Sequence, residues 1–197
     1  MTRVLIIILF LGGCTEKIDE VRILDRHGHP SATVSLRGGA KDGPVTLYWP
    51  DGTIRLEGQY VDDRRAGCWR SYHGNGSLRS RTHYTEGAKE GPRIYWDSLG
   101  QPIRAEYFIR GVPNGPFYRF FPDGRLAQHS NYVDGVLHGP HDKWYDELGG
   151  TRVNGYYVQG SETGLWTEYD PSGHMIWQAY LKDGEVRDTI YAERIRH

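Results

Sequence analysis

Short segments of alternating apolar and polar residues run along the chain, separated by clusters of turn-forming residues. They are about five and eight residues long, which is the length of ordinary β-strands. The 3.6-residue spacing of apolar positions that marks an amphipathic helix is not found in the sequence. Pro-Asp-Gly at 50–52 and again at 122–124 supplies hairpin turn chemistry. The pattern therefore predicts an all-β fold of antiparallel hairpins.

The hairpin pattern repeats every 24 residues. Repeats start near Asp19, Gly43, Gly67, Gly91, Gly115, Gly139 and Gly164, with a one-residue insertion before Gly149. We number positions within a repeat from its first residue, which is position 0 and is glycine in all repeats but the first. The inserted residue before Gly149 is not counted. Position 9 is glycine in all seven repeats, and we interpret it as the positive-φ residue that closes the hairpin: Gly28, Gly52, Gly76, Gly100, Gly124, Gly149 and Gly173.

Positions 5 and 17 are aromatic or apolar in every repeat, so we expect them to share one buried face. A single hairpin cannot bury such a face, whereas seven stacked hairpins form one continuous, elongated antiparallel sheet. Position 20 is glycine except at Asp63, and a second turn is expected between it and the next first glycine. The repeats span residues 19–187, and residues 188–197 form a C-terminal cap.

The N-terminal segment differs from the repeats. Arg3 precedes an apolar stretch that ends in Leu11-Gly12-Gly13-Cys14. This layout is that of a secretory signal, and its end resembles the bacterial lipobox. The resemblance implies a signal peptide over residues 1–13, lipidation of Cys14 with palmitate-type chains, and a short tether over residues 14–18. The alternative is an ordinary cleaved signal.

Composition excludes several classes of function. The chain has 24 basic and 25 acidic residues, without the basic surplus of a nucleic-acid binder. Nucleophile-elbow, phosphate-loop and dinucleotide motifs are absent, so we expect neither an enzyme nor a cofactor. The nine histidines fall at scattered positions of the repeat. His138 and His141 in a turn are the strongest metal candidate, but solvated loop histidines are the expectation and no metal is predicted.

Two further positions suggest a contact surface. Positions 6 and 16 should point away from the shared core, because neighbouring strand residues face opposite sides. Aromatic residues there give large, rigid contact area, and broad repeat surfaces commonly bind macromolecules. The alternative is that they only shield the second face. The predicted partner-binding residues are Trp49, Tyr107, Phe121, Tyr145, Tyr156 and Tyr180.

The repeat resembles the bacterial MORN-variant family, whose units read roughly Gly-x-Trp-x-x-Tyr followed by a second glycine. The segments at 67–76 and 164–173 carry this pattern best. The resemblance implies a non-catalytic, lipid-anchored envelope protein that binds an unknown protein partner, at the outer membrane if the host has two membranes. Proteins of this type are often labelled antitoxins, so a toxin–antitoxin or immunity role is one alternative. A cell-wall glycan binder or enzyme is another.

Overall fold

The computed structural model describes residues 7–9, 18–145 and 150–192. The predicted lipidation site Cys14 and the turn residue Gly149 lie outside these ranges, as does most of the predicted signal segment. The chain divides into an N-terminal unit, which ends at Gly100, and a C-terminal unit, which begins at Gln101. Each unit is described by itself below.

Both units consist of β-strands that are consecutive along the chain and pair antiparallel. The N-terminal unit contains β1 (Ile7–Leu9), β2 (Ile18–Leu24), β3 (Pro30–Arg37), β4 (Ala40–Tyr48), β5 (Ile54–Val61), β6 (Arg64–Tyr72), β7 (Leu78–Thr85) and β8 (Ala88–Trp96). The C-terminal unit contains β9 (Pro102–Ile109), β10 (Val112–Pro113), β11 (Gly115–Phe120), β12 (Leu126–Val133), β13 (Val136–Trp144), β14 (Thr151–Val158), β15 (Ser161–Tyr169), β16 (Met175–Lys182) and β17 (Glu185–Ala192). The predicted all-β fold of antiparallel hairpin repeats is confirmed.

In the six repeats for which the structure describes it, the first turn is closed by the glycine at position 9. In the second repeat the amide of Gly52 donates to the carbonyl of Trp49 (2.9 Å), and the amide of Trp49 donates to the carbonyl of Thr53 (2.8 Å). The Asp51 carboxylate accepts the Thr53 amide. The six described glycines at this position have φ between 82° and 89°. Glycine alone adopts such angles without a steric cost, which explains the periodic glycine.

The second turn lies at position 20 itself, one step earlier than the sequence prediction placed it. Both central residues of this two-residue turn have positive φ, as in Asp134 (50°) and Gly135 (83°). That is the backbone of a type I′ hairpin, which matches the twist of the strands on either side. Asp63 occupies the glycine position of the second repeat with φ 60°. The sequence prediction placed this turn after position 20, and that placement was wrong because positions 19 and 20 themselves form the two-residue turn.

From the second repeat onward, the first glycine lies inside a strand or, at Gly115, at the start of one, and it forms a bulge. In β13, His141 pairs with Ser130 and Leu137 pairs with Tyr132, so that residues 138–140 stand opposite Asn131 alone. Gly139 within this bulge has φ 108°. The equivalent bulge of β6 sets residues 67–69 opposite Gly58. A bulge bends the strand and redirects the side chains that follow it.

The bulge places the residue at position 2 over the preceding strand. Trp69 covers Gly58 and Trp166 covers Gly155 so closely that a Cβ atom on either glycine would overlap the indole ring. Each indole anchors a buried cluster, with Val45 and Tyr84 around Trp69, and Ala179 and Leu181 around Trp166. We call the side of each unit that carries these indoles the tryptophan face, and the other side the reverse face.

Positions 5 and 17 lie on opposite faces, so the prediction that they share one core is wrong. Tyr60, at position 17, packs edge-on against Trp69 on the tryptophan face, with ring centroids 5.1 Å apart. Tyr72, at position 5, points to the reverse face, where its hydroxyl donates to Glu57 (2.6 Å). The register shifts by one residue beside position 5. Alternation therefore cannot be carried through the turn from one strand to the next.

Backbone hydrogen bonds join neighbouring repeats at the second turn. The amide at position 20 donates to a carbonyl of the preceding repeat: Asp63 to Lys41, Gly87 to Arg65, Gly135 to Pro113, Gly160 to Leu137 and Gly184 to Glu162, at 2.8–3.0 Å. At the other edge, side chains make the connection. His73 bonds the carbonyl of Trp96 (2.9 Å), and the Tyr145 hydroxyl donates to the carbonyl of Tyr169 (2.9 Å).

Candidate binding surfaces

The reverse face of the C-terminal unit carries large apolar side chains that remain accessible. Tyr107, Tyr156 and Tyr180, three of the predicted partner-binding residues, lie at position 16 of their repeats and are 40–50 % exposed. The exposed apolar surface, as we call it, consists of Tyr107, Ile109, Val112, Val133, Val136, Tyr156, Val158, Leu165 and Tyr180. Sequence reasoning missed the aliphatic members. Ile109, Val133 and Val158 occupy position 18, which follows position 16 on the same side of a strand.

Cross-strand pairs link neighbouring members of this surface. Ile109 pairs with Val112 and Val133 pairs with Val136 across the two-residue turns. Each pair also contacts the next repeat, because the turn glycine Gly135 lies next to Val112 and Gly160 lies next to Val136. Further along, Leu165 pairs with Tyr180. Patches of connected, accessible apolar side chains are uncommon on monomeric proteins and mark interaction sites.

A small apolar cleft adjoins one end of the exposed apolar surface. It has a volume of about 130 Å³ and lies beside Tyr107, with Phe108, Pro116, Phe117 and Tyr132 in its wall. Phe117 and Tyr132 pack edge-on at 6.1 Å, which fixes that part of the wall. The cleft is large enough for one aliphatic or aromatic side chain of a partner, and too small for a drug-sized ligand.

The same positions are mostly polar in the N-terminal unit. Position 16 holds Gln59 and His83, and position 18 holds Val61 and Thr85. Across the second turn, Val61 pairs with the charged residue Arg64. The two units therefore share a backbone plan, whereas their reverse faces differ in chemistry.

The predicted partner-binding residues at position 6 lie away from the tyrosines of position 16. Trp49, Phe121 and Tyr145 begin the first turn, at the opposite end of the hairpin. All three are half-buried, and the hydroxyl of Tyr145 is already bonded to the next repeat. The structure thus brings together Tyr107, Tyr156 and Tyr180 with aliphatic neighbours, and leaves the position 6 residues outside this surface.

His141 is buried in the core of the C-terminal unit, so the expectation of a solvated loop histidine is wrong for this residue. It lies within β13, is 5 % exposed, and its Nδ1 is 2.8 Å from the hydroxyl of Ser130. The ring packs against Tyr157 and Trp166. Burial, together with the nearby positive charge of Lys143, lowers the pKa of His141 to about 4. The ring is therefore neutral at pH 7.

Among the described residues, no three His, Cys, Asp or Glu side chains are placed to hold a metal ion. Likewise, within residues 7–9, 18–145 and 150–192 no helix is long and apolar enough to cross a membrane. The free thiol of Cys68 is half-buried on β6.

Comparison with known families identifies two of the hairpins. Residues 41–62 and 65–86 match the family described as MORN repeat variant. These two segments are similar to repeats of that family. They coincide with the β4–β5 and β6–β7 hairpins, and the other hairpins repeat their two turn types. Repeats of this kind generally act as binding modules for proteins or membranes rather than as enzymes. A comparison with curated proteins gives no match.

Proposed function

We propose that this chain is a non-catalytic protein-binding module of the bacterial cell envelope, anchored to a membrane through lipidated Cys14. In a host with two membranes the anchor lies in the outer membrane, since Thr15 rather than aspartate follows the cysteine. The binding site is the exposed apolar surface of the C-terminal unit. The MORN-variant repeats of the N-terminal unit support the binding role, since the family consists of binding modules.

The observation that carries the proposal is the accessibility of Tyr107, Tyr156 and Tyr180 beside an aliphatic row. Exposing this much connected apolar area to water is unfavourable, at roughly 25 cal/mol per Å². A partner that covers it recovers that free energy. Tyrosine is also enriched at interface hot spots, because it buries a large rigid ring and retains a polar group.

The residues that border this surface are those expected at the rim of a protein interface. Arg110, Asp134, Gln159 and Asp183 occupy the tips of the successive second turns. They differ in charge and are exposed to solvent. Polar rims of mixed charge surround apolar interface centres and contribute more to specificity than to affinity.

The test replaces Tyr156 and Tyr180 together by serine. Partners are first enriched from envelope extracts with the wild-type chain, and the strongest is purified and titrated. Because interface tyrosines contribute about 2 kcal/mol each, we expect at least about a 100-fold loss of affinity in the double variant. The melting temperature should change little, because both rings are exposed.

The matched control is the Gln59→Ser and His83→Ser double variant, which changes the same position in the N-terminal unit. It should bind the partner as the wild type does. Equal affinity of the tyrosine variant and this control would place the interface elsewhere and contradict the proposal.

The partner's class is decided by two further measurements. If the partner is a toxin, co-expression of the wild-type chain should relieve growth arrest, and the tyrosine variant should not. If instead the chain sediments with purified peptidoglycan, and the tyrosine variant does not, the surface binds a glycan and the protein-partner proposal fails.

The anchor is tested by Cys14→Ser. Two or more acyl chains hold a protein firmly on a bilayer, at about 0.8 kcal/mol per buried methylene. We expect labelled palmitate to enter the wild type only and the variant to leave the membrane fraction. A variant that stays with membranes, together with an unlabelled wild type, would exclude the lipid anchor.

A further inference from the structure

A positively charged cleft lies on the tryptophan face of the N-terminal unit. It has a volume of about 270 Å³, and its lining includes Arg65, Arg79 and Arg93, three hydroxyl side chains, Trp69 and two tyrosines. None of its described lining residues carries a carboxylate. This cleft lies in a different unit from the exposed apolar surface.

Arg65 is fixed at the cleft by aromatic side chains rather than by an acid. Its guanidinium carbon lies 4.3 Å from the centre of the Trp69 ring and 5.3 Å from that of Tyr84. One of its nitrogens donates to the Tyr84 hydroxyl (3.1 Å). Stacking of this kind orients a guanidinium but leaves its charge unneutralised.

Two other arginines add positive charge that is not paired within the described chain. Arg93 stacks on Tyr95 at 4.6 Å, and its Nε is buried without a hydrogen-bond acceptor. Arg79 is exposed, and no hydrogen bond or ion pair engages it among the described residues. By contrast Arg70, whose side chain alternates to the reverse face, is paired with Glu57 (3.4 Å).

Two hydroxyl groups complete the polar wall. The oxygens of Ser71 and Ser80 lie 2.6 Å apart, so one hydroxyl donates to the other. The remaining hydroxyl hydrogen of the pair is available to a ligand. Guanidinium and hydroxyl donors without competing acceptors suit an oxyanion, because charge-assisted hydrogen bonds to carboxylate or phosphate are the strong ones.

We propose that this cleft binds a small organic anion with two or more negative charges, either a phosphate monoester or a polycarboxylate. Its volume is below that of a typical drug-sized pocket, which favours a compact ligand. An anion there would offset the positive charge of Arg65, Arg79 and Arg93, which no carboxylate in the cleft lining compensates. The site is a second binding function, independent of the protein interface.

Calorimetric titration of the purified full chain with inorganic phosphate and with citrate, at ionic strength fixed by potassium chloride, tests the proposal. We expect saturable binding of at least one anion, weakened about tenfold by Arg79→Gln, because one charge-assisted contact is lost. Arg93→Gln should weaken it similarly. Arg81→Gln is the matched control, since Arg81 is on the same strand as Ser80 but its side chain packs on Trp96. It should bind like the wild type.

Two results would overturn the proposal. One is the absence of saturable heat with both anions, or equal affinity in the wild type and in Arg79→Gln. The other comes from vesicles that contain phosphatidylglycerol: if the chain binds them, Arg79→Gln weakens this binding and citrate does not compete, the arginines recognise a lipid headgroup. Competition by citrate would instead support the small-anion site. Because the side chain of Arg79 makes no hydrogen bond or ion pair with the described residues, its variant should fold, and the melting curve checks this.

Discussion

The two units bury a tryptophan in the same way but expose different side chains to solvent. In each, a tryptophan at position 2 lies over a glycine of the neighbouring strand, Trp69 over Gly58 and Trp166 over Gly155. Around Trp69 the tryptophan face carries uncompensated arginines, whereas the C-terminal unit carries exposed tyrosines and valines on its reverse face. The backbone plan therefore requires only a few positions, and the rest are available for binding.

The surroundings of the two indoles differ as well. The Trp69 ring nitrogen donates to the carbonyl of Gln59 (3.2 Å), and a guanidinium covers the ring. The Trp166 nitrogen is buried without an acceptor among the described residues, and a neutral histidine lies beside the ring. The first indole is thus held by polar contacts and the second by apolar packing, which makes the two units respond differently to mutation and pH.

The largest effect should come from adding a methyl group beneath either indole. Gly58→Ala and Gly155→Ala would each place a Cβ inside the van der Waals radius of the ring. Overpacking of this kind costs about 3 kcal/mol, because the indole must leave its rotamer or the strands must separate. Urea denaturation of each variant measures the loss.

Gly74→Ala is the control for this pair, since it has a free site for a Cβ and no positive φ. It should change stability by less than about 0.5 kcal/mol. If Gly58→Ala or Gly155→Ala matched the control, the indole–glycine contact would not be the shared device of the two units.

A smaller effect, confined to the C-terminal unit, should appear on mild acidification. His141 has a folded pKa of about 4, below its unfolded value near 6.5. Well above pH 6.5 the histidine is neutral in both the folded and the unfolded state, and its titration does not lower the stability. As the pH falls below 6.5 the unfolded state binds a proton first, so stability falls, by about 2 kcal/mol at pH 5. Hydrogen exchange of β13–β15, compared with that of β5–β7, measures this difference.

His141→Phe separates this histidine from other titrating groups. Position 2 of the preceding repeat is Phe117, so phenylalanine is compatible with this position of the fold. The variant should lose the acid sensitivity of β13–β15 between pH 6.5 and 5. An unchanged pH profile in the variant would show that another group destabilises the unit.

The smallest expected effect concerns the second turn, where the N-terminal unit tolerates an aspartate. Asp63 adopts φ 60°, whereas Gly135 in the C-terminal unit has φ 83°, and a Cβ atom added there would lie 3.3 Å from the side chain of Val112. Gly135→Asp should therefore cost about 1 kcal/mol. Thermal denaturation measures it, with Asp134→Asn as the control because asparagine also adopts positive φ. A variant as stable as the wild type would show that glycine is dispensable there.

The repeat length, the all-β class and the first hairpin turn of each repeat could be predicted, because the periodic glycines mark the places where the backbone needs a positive φ. The positive φ of Gly52 and Gly124 follows from this reasoning alone. The side of the sheet on which a residue lies could not be predicted, because it depends on register. One shift beside position 5 separates Tyr72 from Tyr60, and the bulge at the first glycine was indistinguishable from a turn.

The candidate sites were predictable only in part for the same reason. Tyr107, Tyr156 and Tyr180 were identified as aromatic residues at one position, which does not depend on knowing the register. The arginine cleft was missed because Arg65, Arg79 and Arg93 occupy three different positions of the repeat. They come together only through cross-strand neighbours. His141 was misplaced because its residue type suggested solvent, whereas its position is that of the buried Trp69.

The two edges of each hairpin differ in how much change they tolerate. At the second turn the repeats are joined through main-chain groups, as from Gly135 to Pro113, and no substitution removes a carbonyl. At the first turn the joint depends on individual side chains such as His73 and Tyr145. The one repeat with an extra residue has it on that side, before Gly149. Loops, tags or foreign epitopes should therefore be inserted at the first turns, which leaves the spacing of successive hairpins intact.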